Sequence, residues 1–162
     1  MNYKEYLTKL FYFLGVDEEE IEIEVDENDD TVRVSVSTES TQLDKFIRGS
    51  GENLTALQSL MRLTFMDDLN KRRLILDING FIKQKEDDLV SRAVDLAQQV
   101  LETGQPKTFY DLNSFERYLV HSSVAETENL QGVATYSTTV EGKRYLTICL
   151  EEDLPEDSGD ER

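Results

Sequence analysis

"RRLILDINGFIKQKEDDLVSRAVDLAQQVLETGQP", residues 72–106, sets the organisation of the whole chain. Its opening "RRLILDI" (72–78) is a short apolar run that reads as a strand, and Asn79-Gly80 is a turn signal. From 81 to 103 the period changes: Ile82, Leu89, Ala93, Leu96, Ala97 and Val100 trace one stripe of a long helix. Gly104 suits the position just past a helix end, and Pro106 cannot continue one. A boundary near Asn79-Gly80 therefore separates a first unit that closes on a strand from a second that opens on the long helix.

Upstream, residues 2–14 carry Tyr3, Tyr6, Leu7, Leu10, Phe11 and Leu14 at helical spacing, and Gly15 ends that helix. "IEIEV" (21–25) and "TVRVSVS" (31–37) alternate with period two, which predicts a hairpin with one buried face. A short helical piece, 41–48, leads through "GSG" (49–51) into an apolar helix over 52–69 carrying Leu54, Leu57, Leu60, Met61 and Phe65. The first unit is thus helix, strand, strand, helix, helix, strand. Downstream, "KTFYDL" is a short extended piece, and "NSFERYLVHSSVAET" is a capped helix over 113–126. Two strands follow, 132–140 and 143–150, joined through Glu141-Gly142. The fold class expected is α+β.

The chain has 162 residues, room for one ordinary domain or two small ones, and a net charge of −17. That charge is not spread evenly. Residues 17–30 hold ten acidic and no basic residues, and 151–162 hold seven acidic residues against one arginine. Residues 31–150 are left nearly neutral, so an anionic partner is not excluded. The last dozen residues, 151–162, read as a disordered acidic tail. No apolar run approaches the ~18 residues that a membrane span needs. The N-terminal patch, interrupted by Lys4, Glu5 and Lys9, does not read as a signal peptide. One cysteine, Cys149, excludes an internal disulfide and a multi-cysteine metal site, which suits a reducing cytosol.

The sole histidine, His121, follows Arg117 by four residues, one helical turn away on the same face. Arginine offers a fork of donors suited to phosphate oxygens; histidine offers a ring nitrogen and a flat face for a base. The plain alternative is an exposed helix face or a histidine with a satisfied hydrogen bond. Enzyme readings find little here. Ser122 and Ser123 adjoin His121 without a Gly-x-Ser-x-Gly turn, and the acidic runs lack calcium-loop spacing. The reading is non-catalytic, with no cofactor and no metal, and Cys149 is a packing residue.

In the order and content of "EIEIEVDENDDTVRVSV", "GENLTALQSLM", "RRLILDINGFIKQKEDDLVSRAVDLAQQVLETGQP" and "LNSFERYLVH…GVATYS", the chain resembles the bacterial Jag/KhpB (EloR) family. Those proteins join a KH domain to an R-3-H domain, named for its Arg-x-x-x-His spacing. The resemblance covers roughly residues 20–150 and includes no counterpart of the extra N-terminal Jag domain of some relatives. It implies a KH-like domain over 1–79 (α-β-β-α-α-β). It also implies an R-3-H domain over 80–150, a small sheet packed on the long helix and a second helix. The function implied is cytoplasmic binding of single-stranded RNA, with single-stranded DNA not excluded, in post-transcriptional control of cell elongation and division. A small KH-only protein is the implied partner, and a homodimer is compatible with it.

Residue by residue, the resemblance places Arg117 and His121 at the R-3-H pair, with Tyr118 where many relatives carry a second arginine. The KH loop has the form Gly-x-x-Gly, whose bare backbone approaches phosphates. Its counterpart here is Arg48-Gly49-Ser50-Gly51, with Arg48 in place of the first glycine. A turn between packed helices explains Gly49 and Gly51 equally well. Lys45 flanks that loop, Lys107, Lys143 and Arg144 can line a path near the R-3-H pair, and Lys71, Arg72 and Arg73 cluster at the third strand of the KH-like unit. The altered loop, the charge and Tyr118 motivate a second reading, a protein–protein adaptor that keeps the fold with weakened or lost RNA binding.

Overall fold

The structure, a computed structural model, describes residues 2–155. It is an α+β protein that divides into two compact units, the first ending at Gln84 and the second beginning at Lys85. Most of the acidic tail expected over 151–162 lies outside the described residues; within them, Glu151–Asp153 form a single 3-10 turn. Among the described residues, no helix is long and apolar enough to cross a membrane.

In the first unit, α1 (Tyr3–Phe13) is capped by Asn2, whose side chain accepts the Glu5 N–H at 2.8 Å. It buries Tyr3, Leu7 and Phe11, four residues apart. Strands β1 (Ile21–Glu27) and β2 (Thr31–Thr38) form the antiparallel hairpin, its turn held by Asn28 Oδ1 accepting from Asp30 and Thr31 N–H. The chain then crosses over through α2 (Asp44–Ile47), α3 (Glu52–Thr64) and α4 (Met66–Leu69) to β3 (Arg73–Ile78). β3 lies parallel to β2, as a crossover connection allows, in the order β1-β2-β3. Val32, Val34, Val36, Leu74, Leu76 and Ile78 face a core shared with Leu7, Phe11, Leu54, Leu57 and Met61.

Two details depart from the sequence reading. The helix expected over 52–69 breaks at Phe65, whose backbone leaves helical values and whose ring packs 4.6 Å from that of Tyr3. Periodicity cannot reveal this break, because Leu57, Met61, Phe65 and Leu69 keep their spacing across it and all stay buried. Along the apolar face of β1 only Ile23 is buried, and Val25 is exposed. β1 is an edge strand, and its glutamates and aspartate place charge along an otherwise unpaired backbone edge. This gives the acidic run 17–30 a structural role.

The second unit is built on α5 (Phe81–Thr103), which buries Ala93, Ala97 and Val100. Small alanines at that spacing let the helix approach a sheet closely. The sheet comprises β4 (Lys107–Phe109), β5 (Val133–Val140) and β6 (Lys143–Leu150), antiparallel in the order β4-β6-β5. Glu141 and Gly142 both take positive φ, the two-residue turn whose twist matches a hairpin. Helix α6 (Ser114–Glu126) adds Val120 and Val124 to a core with Phe109, Leu146 and Ile148. Ile82, expected on the same stripe as Ala93, packs instead with the first unit's core.

Gly51 offers a test of the packing. Its φ is +81°, and a Cβ there would sit 2.6 Å from the Phe81 ring; at Gly49, φ +62°, nothing lies within 4 Å. Gly49→Ala carries only the left-handed backbone cost, ~1 kcal/mol. Gly51→Ala adds overpacking and costs roughly 2–4 kcal/mol. Urea denaturation of the two variants should rank them in that order.

Candidate nucleic-acid interface

Helix α6 starts with a complete capping box. Asn113 Oδ1 accepts from the N–H groups of Phe115 (2.9 Å) and Glu116 (3.1 Å), and Glu116 Oε2 accepts the Asn113 N–H at 2.7 Å. This fixes the first turn and, with it, the position of Arg117. The guanidinium folds back over that turn: Nη1 donates to the Leu112 carbonyl at 2.6 Å and Nη2 to Ser114 Oγ at 3.0 Å. The remaining N–H donors of the fork have no partner among the described residues.

One turn on, the His121 ring is turned toward β5. Nδ1 lies 2.5 Å from Thr135 Oγ1, and Nε2 lies 3.4 Å from Ser137 Oγ. Thr135 and Ser137 are two residues apart and pair with Ile148 and Leu146, so they sit on the helix-covered face of the sheet. Both ring nitrogens therefore face hydroxyls of the fold, which fixes the position of the ring. The signal for this was present in "VATYSTT": the inward positions change from Val133 to Thr135 and Ser137 as the strand leaves the core. Tyr118 is exposed, stacked against Phe115 with centroids 6.3 Å apart and planes at 27°.

These features coincide with a family match. The family model of the R-3-H domain matches residues 87–150. That segment is similar to R-3-H domains. The chain is also similar to the RNA-binding protein KhpB of Bacillus subtilis (strain 168), 28% identical over 127 residues. The alignment takes in 75% of this chain and 58% of that relative's length. The two likenesses overlap in the second half of the chain, and the alignment spans little more than half of the relative's length.

The basic residues expected near the R-3-H pair are divided by the sheet. Arg144 pairs with Thr139 and so shares the face of Ser137 and His121, whereas Lys143, its neighbour, belongs to the opposite face with Tyr145. Lys107 is half-buried on β4 opposite Ile148. Cys149 is buried on β6; burial, and secondly the charge of Asp153, push its thiol above the usual range.

In the first unit, Arg48-Gly49-Ser50-Gly51 forms the exposed link between α2 and α3, except that Gly51 itself is buried. Gly51 is accounted for by its positive φ and the Phe81 ring. Ser50 Oγ lies 3.4 Å from the Glu52 carboxylate, which places negative charge at the start of α3. Lys45 is exposed, its ammonium 5.9 Å from the Phe46 ring centre, and its carbonyl accepts from Asn53 Nδ2. Of the cluster near β3, Arg72 is committed internally: it pairs with Glu27 at 2.7 Å and donates to the Leu69 and Asp68 carbonyls.

Removing the ring in His121→Ala leaves two half-buried hydroxyls without this partner. The expected loss of stability is about 1 kcal/mol. Thermal and urea unfolding of the variant will measure it.

Proposed function

We propose that this protein binds single-stranded RNA and does no covalent chemistry on it. The observation that carries the reading is the state of Arg117 in the R-3-H domain. Two of its donors are anchored on Leu112 and Ser114, which holds the guanidinium in place, and the others remain open to phosphate oxygens. His121, held by Thr135 and Ser137, keeps a ring face beside it for a base. Arg144 on the same sheet face adds charge, and Tyr118 adds an exposed ring. The KhpB relative, described as RNA-binding, supports RNA as the polymer.

The first unit fits a KH-like domain in element order and in its parallel β2–β3 pair. Its Arg48–Gly51 loop contributes less to binding, since Gly51 serves packing and Glu52 opposes a phosphate. Lys45, Lys107 and Lys143 are secondary contacts. By the same resemblance, the role is post-transcriptional control linked to cell elongation and division in the cytoplasm, with a small KH-only protein as partner.

A second reading, a protein–protein adaptor, draws on one observation: Leu60, Leu63 and Met66 are exposed together along α3 and the start of α4. The adaptor predicts that folded protein at low salt has no RNA affinity, with or without residues 151–162.

Fluorescence anisotropy of a mixed-sequence single-stranded RNA, titrated at two salt concentrations, separates these readings. Arg117→Ala should weaken binding about tenfold and lower the salt slope by about one phosphate contact. If Arg117→Ala/His121→Ala leaves affinity untouched, the assignment of the interface to α6 is wrong.

A further inference from the structure

Beyond the Arg117/His121 face, and resting on the RNA-binding reading, we propose that the opposite face of the β4-β6-β5 sheet is a second, base-stacking surface for single-stranded RNA, centred on Tyr110 and Tyr145. The register makes the case. Phe109 pairs with Leu146, so the next residue, Tyr110, falls beside Tyr145 on the face that carries Thr108 and Thr147. The two tyrosine rings meet edge to face with centroids 5.5 Å apart. Tyr136, opposite Thr147 on β5, brings a third tyrosine to the same face, and Lys143 stands two residues before Tyr145.

The packing core of this unit lies on the other face, where Phe109, Leu146 and Ile148 are buried with α5 and α6. An aromatic placed for stability belongs there. Tyr110 is instead 66% exposed, and Thr108 and Lys143 are exposed with it. An exposed ring, Tyr110, beside the half-buried rings of Tyr145 and Tyr136, with the exposed Thr108 and a cation at the rim, offers unstacked bases a place to stack next to a phosphate contact. A protein partner that needed a dry interface would instead meet the Thr108–Thr147 hydroxyl pair, 3.1 Å apart, at its centre. Lys143 is offset by Glu141 in the turn and by Asp111 beside Tyr110. Binding here therefore rests on stacking and depends little on salt, unlike the contact at Arg117.

The chain contains no tryptophan, so Tyr110→Trp creates a lone reporter in the full-length protein. Titration with a mixed-sequence single-stranded RNA should quench its emission as anisotropy reports binding. Tyr110→Ala should weaken binding about tenfold with an unchanged salt slope, and Tyr110→Phe should retain affinity. If RNA binds by anisotropy while the reporter's emission and the Tyr110→Ala affinity do not change, this surface is overturned and the Arg117 interface stands. If the folded wild type binds no RNA at low salt, both fall.

Discussion

The carboxylate of Asp77 decides how the first unit ends and how the long helix begins. Asp77 lies at the end of β3 and is only 3% exposed. A buried carboxylate is costly unless its oxygens are satisfied, and here both are. Oδ1 accepts the N–H of Ile82 at 2.9 Å and Oδ2 that of Lys83 at 3.0 Å, two amides that the first turn of α5 would otherwise leave unpaired. The Arg33 guanidinium on β2 lies 3.6 Å away. Two residues later, Asn79 donates its N–H to the Val36 carbonyl, and its side chain exchanges hydrogen bonds with the backbone of Thr38. An amide side chain thus continues the parallel ladder one step beyond the strand. With Asn79 and Gly80 at positive φ, four residues finish a strand, reverse the chain and cap a helix.

Charge follows the same economy. The acidic run over 17–30 lines an edge strand, and Glu27 pairs with Arg72, which also binds two carbonyls at the end of α4. The net charge therefore says little about the surface around α6. What matters there is a single guanidinium with some donors anchored and others open. In the proposed binding of RNA, a chain of −17 with a few such groups depends on aromatic faces for much of its affinity. Tyr118 on α6 and Tyr110 with Tyr145 on the sheet are the faces proposed for it.

Element order and fold class were legible because each segment carries its own period: two for 31–37, near 3.6 for 81–103, with glycine and proline marking the ends. The break at Phe65 was not legible, because the buried residues keep their spacing through it. Nor was the second role of Gly51. A glycine in a loop fits a phosphate cradle and a tight packing contact equally well, and only the Phe81 ring, thirty residues on, distinguishes them.

By itself the sequence determined that Arg117 and His121 share a helix face, since residues four apart on a helix must do so, and that α6 is capped at Asn113. The tertiary structure decided what each side chain faces. His121 meets Thr135 and Ser137 because β5 pairs with β6 in one register and α6 packs across it. Lys143 and Arg144, neighbours in sequence, go to opposite faces, and Tyr110 and Tyr145 come together from strands far apart in the chain. Helical and strand periods are local properties of the backbone. Partners across a sheet depend on register, which the packing of the buried face selects.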